Sequence, residues 1–126
     1  MRQNFKNWSK PKIEHNKLTP WNWMVAHPQN LELGSFVDIG AFTYINAAHG
    51  IVIKDEVQIG SHCSVYTEST IDETKGPITI GKNARIGTHS TIMPGVKIGE
   101  NAIIGAHSFV KKDVPANSTV FGVPAK

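Results

Sequence analysis

Isoleucine and valine recur at every sixth position over the second half of the chain. The positions are Ile80, Ile86, Ile92, Ile98, Ile104 and Val110, and glycine follows at Gly81, Gly87, Gly99 and Gly105. A period of six fits neither an amphipathic helix nor a strand that alternates apolar and polar residues. It is typical of a parallel β-helix, in which three six-residue units make one triangular coil. The pattern therefore predicts an all-β fold.

The same register extends backwards through earlier coils. These units open at Leu33, Ile39, Ile45, Ile53, Ile59 and Val65. The step from Ile45 to Ile53 is two residues too long, and about nine extra residues lie between Val65 and Ile80. We therefore predict about four coils over residues 33–126, with a loop at 71–79 that leaves the coil.

Stacked coils should bring equivalent positions into columns, because neighbouring strands lie about 4.8 Å apart. One buried column is expected from the first position of four units: Ile39, Ile59, Ile86 and Ile104. The fifth position is small and should also point inward; its members are Thr43, Cys63, Ser90 and Ser108. A single coil cannot bury its apolar side alone, so the repeat is stable only as a stack.

Residues 1–32 lack the six-residue period and carry all three tryptophans, Trp8, Trp21 and Trp23. Their prolines exclude a long helix. An uncovered end of a solenoid exposes unpaired strand edges, so we predict that residues 1–32 form an arm and cap over the first coil. The alternative is that Trp21 and Trp23 belong to a ligand site.

Charge and cysteine content narrow the classes of function. The formal net charge is +3, but residues 1–20 carry a net +4, so the remainder is not a polyanion-binding surface. We therefore expect no nucleic-acid partner. The single cysteine, Cys63, excludes a disulfide framework, and no apolar run is long enough to span a membrane. The chain is predicted to be cytoplasmic, with no membrane partner.

The run IGKNARIGTHSTIMPGVKIGENAIIGAHSFVKKDVPANSTVFGVPAK strongly resembles the hexapeptide-repeat acyltransferases, such as the galactoside, maltose and serine acetyltransferases. The resemblance implies a left-handed parallel β-helix, a homotrimer, and transfer of an acetyl group from acetyl-CoA at clefts between subunits. The chain is also similar to members that acetylate amino sugars or sugar nucleotides for surface polysaccharides such as lipopolysaccharide. The implied acceptor is an amino or hydroxyl group of a sugar or sugar nucleotide.

The resemblance also implies where the acyl donor binds. The family's channel-lining positions fall at Thr88 and Ala106, and its Thr-Lys pair near the nucleotide end falls at Lys111 and Lys112. We therefore predict that the pantetheine lies along Gly87, Thr88, Gly105 and Ala106, with the phosphates near Lys111, Lys112 or Lys126. Small residues let a linear thioester arm approach the backbone closely, and lysines suit phosphate groups as mobile point charges.

The resemblance identifies only part of the acceptor site. Asn46 matches an asparagine of the family's acceptor site, but the family's catalytic histidine has no match in this chain. The catalytic histidine of the galactoside acetyltransferases maps to a position near Thr70 of this chain. The histidines of the serine acetyltransferases map to positions near Ala47 and Gly76. The candidates for a general base are therefore the other histidines of the chain, unless the acceptor amine arrives already deprotonated and the protein only positions it.

His62, His89 and His107 share the fourth position of their units and should form a column on one outer edge, below Phe42. Histidine suits a general base because it exchanges a proton near neutral pH. A donor that passes Ala106 and Thr88 would bring its thioester to His62. We therefore predict His62 as the base, with His49 as its rival.

Two other functions stay open. A zinc enzyme like the γ-class carbonic anhydrases needs two histidines together in one coil and a third from a neighbouring chain, and that pattern is absent, so no metal is expected. A trimeric scaffold without catalysis is the second alternative. For an acetyltransferase, Cys63 is predicted to face the core, so transfer should proceed without an acyl-enzyme.

Overall fold

The computed structural model describes residues 7–126. Within them lie one short 3-10 helix, at Pro28–Asn30, and a series of two- and three-residue strands. The strands are β1 Met24–Ala26, β2 Leu31–Leu33, β3 Asp38–Ile39, β4 Tyr44–Asn46, β5 Ile51–Ile53, β6 Gln58–Ile59, β7 Ser64–Tyr66, β8 Glu68–Ser69, β9 Thr74–Lys75, β10 Ile78–Ile80, β11 Arg85–Ile86, β12 Thr91–Ile92, β13 Lys97–Ile98, β14 Ile103–Ile104, β15 Phe109–Val110 and β16 Thr119–Val120. None of the described helical segments has the length and apolarity that a membrane span requires.

Parallel pairing arranges all but two of these strands as the three faces of a triangular prism. Face one is β1-β4-β7-β12-β15, face two is β2-β5-β10-β13, and face three is β3-β6-β11-β14-β16. The chain visits the faces in that order and then begins again, which makes about five turns of a parallel β-helix. The predicted all-β class is confirmed, and the architecture is close to the left-handed form that the resemblance implied.

Both predicted columns lie in the core. The first is Ile39, Ile59, Ile86 and Ile104, which are paired strand to strand on face three and are at most 6% exposed. The second is Thr43, Cys63, Ser90 and Ser108, also buried. The inward hydroxyl groups donate to carbonyl oxygens of the turns, as Thr43 does to Gly60 at 2.8 Å, so their burial leaves no lost hydrogen bond.

The coil begins earlier than the sequence pattern indicated. β1 pairs in register with β4 and β2 pairs with β5, so residues 24–33 already belong to the stack. Val25 is fully buried opposite Ile45. Pairing requires only an extended backbone and an inward apolar side chain, and β1 has both without the glycine that marks later units. This corrects the predicted start of the coil from residue 33 to Met24 and adds one turn.

The segment before β1 covers the open end of the first coil. Trp23 is 4% exposed and packs in the core, and Trp8 donates its indole N–H to the carbonyl oxygen of Val37 at 3.0 Å. The Trp8 ring also lies 5.9 Å from the ring of Phe36. These are the contacts expected of a cap, and only Trp21 is left largely exposed among the three tryptophans. Residues 1–6 of the predicted arm lie outside the described residues.

The excursion between faces one and two is a small antiparallel hairpin formed by β8 and β9. It leaves the coil at Glu68, and the chain rejoins the coil at Ile78, which is buried. Ile71 lies in its turn and is 97% exposed. The predicted loop at 71–79 is therefore displaced: the hairpin starts earlier, and Ile78 rather than Ile80 returns to face two.

Replacing Ile104 by alanine should destabilise the fold far more than the same change at Ile103. Ile104 is 1% exposed in the central column, whereas its neighbour points outward at 41%. Deleting a buried isoleucine side chain costs about 2–5 kcal/mol, and a surface substitution about 0.5 kcal/mol or less. Urea unfolding followed by circular dichroism measures the difference. Equal losses at the two positions would contradict the assigned register.

Candidate active site

The predicted functional residues lie at the edges of the prism, where the chain turns from one face to the next. The turn between faces three and one is named the histidine edge, because it carries His62, His89 and His107. The turn between faces one and two is named the hairpin edge, because it carries His49 and the β8–β9 hairpin. Face one separates the two edges.

The three histidines of the histidine edge form a stacked ladder. The ring centroids of His62 and His89 are 4.8 Å apart with planes within 3°, and those of His89 and His107 are 4.9 Å apart with planes within 8°. Phe42 continues the column, 5.4 Å from His62. The predicted column is therefore present. Parallel rings at this spacing do not converge on one point as zinc requires, and among the described residues no group of three His, Cys, Asp or Glu side chains is placed to hold a metal.

Thr88 sets the tautomer of His89. Its hydroxyl donates to the carbonyl oxygen of Ser61 at 2.7 Å, and a carbonyl oxygen can only accept. The Thr88 hydroxyl has one proton, and this hydrogen bond uses it. In the 2.9 Å contact between Thr88 and His89, the Nδ1–H of the imidazole is therefore the donor and the Thr88 oxygen is the acceptor. A neutral His89 thus keeps its lone pair on Nε2. Thr88, one of the residues predicted for the donor channel, lies directly beside Ser61.

The remaining predicted donor residues divide between the two edges. Gly87, Gly105 and Ala106 lie in the turns of the histidine edge, and Lys126 is hydrogen-bonded through its backbone to Phe121 in the next turn along. The two other lysines, at 111 and 112, follow β15 and lie on the hairpin edge, across face one. A single chain therefore does not place all of the predicted donor residues along one line.

On the hairpin edge, His49 is held at both its backbone and its ring. Its N–H donates to the hydroxyl of Thr67 at 3.1 Å, and its Nε2 lies 2.8 Å from Oε1 of Glu68. An ionised carboxylate only accepts, so Nε2 is the donor and a neutral His49 carries its lone pair on Nδ1. The buried Thr67 donates in turn to the carbonyl oxygen of Asn46 at 2.8 Å. Asn46 and His49, both predicted, are thus brought together.

Glu68 is a functional candidate that the sequence pattern missed. It faces His49 because Asn46 pairs with Tyr66 in the parallel register of β4 and β7, which sets residue 68 one coil from residues 48 and 49. The extra residues around Ala48 obscured that alignment. A search for a carboxylate about one coil away from each histidine would have found it.

A pocket of about 280 Å³ opens over face one beside the hairpin. Its walls include Tyr44, Asn46, Tyr66, Glu68 and Ile71. The two tyrosine rings lie 5.9 Å apart at 56°. The side-chain oxygen of Asn46 accepts the N–H of Ala48 at 3.0 Å, which fixes the orientation of the amide. The hairpin edge therefore combines a pocket with an acid-paired histidine.

The two predicted bases are not neighbours within one chain. His62 lies on the histidine edge and His49 on the hairpin edge, with the full width of face one between them. Asn46 is near only the second. Any site that uses residues of both edges therefore needs either a ligand that crosses face one or a second copy of the chain.

The similarity to known proteins agrees with this repeat architecture. A model described as bacterial transferase hexapeptide (six repeats) matches residues 77–112. The chain is 37% identical over 120 residues to galactoside O-acetyltransferase of Escherichia coli (strain K12), a match that covers 83% of this chain and 59% of that relative. This chain therefore carries the hexapeptide repeat of bacterial transferases over residues 77–112 and is similar to a galactoside O-acetyltransferase over most of its own length. Its acid-paired His49 and its histidine ladder are the groups with acid–base chemistry at the two edges.

Solved structures of hexapeptide-repeat proteins match over most of the chain. A hexapeptide-repeat acetyltransferase from Vibrio cholerae superposes with a TM-score of 0.77 at 29% identity, over 82% of this chain and 64% of that one. A galactoside acetyltransferase in complex with coenzyme A gives 0.74 at 28% identity, over 90% of this chain and 62% of that one. This chain thus spans less than two thirds of the length of these relatives.

Cys63 should be unreactive in the folded protein. Its side chain is buried, its Sγ–H donates to the carbonyl oxygen of Gly87 at 3.2 Å, and burial raises the pKa of the thiol. Little thiolate, the reactive form, is then present at neutral pH. Iodoacetamide should label the native protein at least about a hundredfold more slowly than the urea-unfolded protein. A native rate close to the unfolded rate would contradict this placement.

Proposed function

We propose that this chain is an acetyltransferase that moves an acetyl group from acetyl-CoA to an amino or hydroxyl group of a sugar or sugar nucleotide. The observation that carries the proposal is the histidine edge, a row of small residues beside stacked imidazoles. It occurs on a chain similar to a galactoside acetyltransferase whose structure holds coenzyme A. We place the reaction in the cytoplasm, in the synthesis of surface polysaccharides.

The proposed donor path follows the histidine edge. The pantetheine arm runs past Gly105 and Ala106, then past Gly87 and Thr88, where small side chains leave the backbone accessible to a linear ligand. Continuing one coil further brings the thioester to Ser61 and His62. The nucleotide end then lies toward the last turn, where Lys126 is placed.

The division of residues between two edges supports a homotrimer with shared clefts. In a closed ring of prisms, the hairpin edge of one chain faces the histidine edge of the next. Lys111 and Lys112 of one chain and Ala106 of its neighbour would then line one donor site. The same arrangement brings His49 of one chain toward His62 of the other. Each cleft is complete only with two chains.

The chemistry in such a cleft is direct transfer. The acceptor nitrogen or oxygen attacks the thioester carbonyl carbon, the C–S bond breaks, and coenzyme A leaves as a thiolate that takes up a proton. No acyl-enzyme is needed, since Cys63 is buried. His62 stands at the acyl end of the donor path and His49 enters from the neighbouring chain, and a positioned base contributes about 10²- to 10⁴-fold.

Thr88→Trp should block donor binding. The indole would fill the channel at its midpoint. Wild-type protein with acetyl-CoA at about a hundred times its dissociation constant should gain about 2.7 kcal/mol of stability, seen as a thermal shift, and the variant should gain none. Thr79→Trp is the matched control, because Thr79 is on face two, opposite the histidine edge. Absence of a shift in the wild type would instead favour a scaffold, and an unchanged shift in Thr88→Trp would mean that the channel is misplaced.

His62→Asn and His49→Asn should complement each other when both variants are expressed in one cell. Alone, His62→Asn should lower turnover by at least about a hundredfold with donor binding retained. In random trimers of the two variants, about one cleft in four keeps both histidines, so about a quarter of wild-type turnover should return. Steady-state kinetics on the purified mixture measures this.

Two results would argue against the shared cleft. A mixture as inactive as its components would mean that both histidines act within one chain. Near-normal activity in either single variant would remove that histidine from the role of base. Separately purified variants, mixed without exchange of subunits, are the control.

A further inference from the structure

The pocket beside the hairpin presents a negative charge next to two aromatic rings. Its carboxylate is Glu68, whose side chain is 42% exposed and whose Oε1 is already paired with His49. Lys75 lies opposite Glu68 in the hairpin, yet no ion pair joins them within 4.0 Å among the described residues. The second carboxylate oxygen is therefore open to a cation from the ligand.

The tyrosines add a surface that suits the same ligand. Tyr44 and Tyr66 stand on neighbouring strands of face one, with ring centroids 5.9 Å apart. Aromatic faces carry partial negative charge, which attracts ammonium groups, and their flat apolar surfaces pack against ring carbons. The Asn46 oxygen is occupied by Ala48, so its NH₂ group is the end left to donate to a ligand hydroxyl.

No lysine or arginine stands among the residues that line this pocket. A carboxylate, two ring faces and an oriented amide donor together favour a ligand that has a cationic amine, a saturated ring and hydroxyl groups. A neutral hydroxyl acceptor would leave the exposed carboxylate without a counter-charge.

We propose that the acceptor is an aminodeoxy sugar, held in this pocket by its ammonium group on Glu68 and by its ring on Tyr44 and Tyr66. The inference rests on the proposed acetyltransferase function and narrows it from an amino or hydroxyl acceptor to an amine.

The proton balance runs through Glu68. The bound ammonium gives one proton to the carboxylate oxygen that His49 leaves free, and the carboxyl group then passes this proton to solvent. The free amine then attacks the thioester carbonyl, an N–C bond forms and the C–S bond breaks. The nitrogen loses a second proton as the amide forms. One of the two protons ends on the sulfur of coenzyme A and the other is released to solvent.

The test compares matched acceptors on the full chain with acetyl-CoA. Each pair is an aminodeoxy sugar and the parent sugar with a hydroxyl at the same carbon, supplied both free and as the nucleoside diphosphate derivative. We expect kcat/KM for the amine to exceed that for the hydroxyl by at least about a hundredfold. Comparing the free sugar with its nucleoside diphosphate derivative shows which of the two forms the protein uses as acceptor.

Glu68→Gln separates the binding role from a general loss of activity. It should lower kcat/KM for the amine by at least about tenfold more than kcat/KM for any weakly used hydroxyl acceptor, because both acceptors lose the support that Glu68 gives His49 but only the amine loses its counter-charge. Glu73→Gln, in the same hairpin and exposed, is the matched control and should behave as wild type. Tyr66→Leu should raise KM for the amine about fivefold and covers the case in which Glu68→Gln disturbs the hairpin.

The outcomes distinguish this inference from the proposed function. If the protein binds acetyl-CoA but acetylates hydroxyls in preference to amines, the amine acceptor is wrong and the donor site still stands. The same holds if the protein binds acetyl-CoA and acetylates neither acceptor. An amine preference that survives Glu68→Gln and Tyr66→Leu unchanged removes the acceptor from this pocket. Loss of all acetyl-CoA binding in the wild type would overturn the proposed function itself.

Discussion

The spacing of about 4.8 Å between successive coils is the constraint on which the rest of the structure depends. Backbone hydrogen bonds join the coils at this distance, which leaves no room for a side chain at glycines such as Gly40 and Gly87. A Cβ on Gly40 would lie 2.4 Å from the backbone nitrogen of Ser61, and one on Gly87 would lie 2.5 Å from that of Ala106. Every equivalent residue is therefore held directly over the next.

This stacking gives each edge of the prism its own ladder. One edge has parallel imidazoles, and another has amides, with Asn83 donating to Asn101 at 2.8 Å and Asn101 to Asn117 at 3.1 Å. The ladder residues on both edges have φ between 57° and 62°, a conformation that asparagine and histidine accept better than most side chains. The recurrence of histidine thus has a backbone cause, and the contacts of Thr88 and Glu68, rather than periodicity, distinguish His89 and His49 chemically.

The same rigidity explains how a small prism can support a site. The coil cannot bend to bring its edges together, so His62 and His49 stay apart within one chain. The hairpin is the described segment in which the chain departs from the coil for a separate pair of strands, and its first residue, Glu68, supplies the charge of the pocket. A fixed scaffold with such an excursion can hold polar side chains outside the coil without disturbing the packing of the core.

The six-residue period by itself determined the parallel β-helix, the isoleucine column, the inward Cys63 and the histidine ladder. Those features repeat at a constant interval, so local spacing is enough to reveal them. The tertiary structure alone decided that β1 already belongs to the coil, that Glu68 pairs with His49, and that the predicted donor and acceptor residues occupy opposite edges of face one. Contacts of this kind join residues about one coil apart, across a bulge or a hairpin of irregular length. Their alignment depends on where the chain re-enters the stack, and backbone pairing rather than the side-chain pattern settles that point.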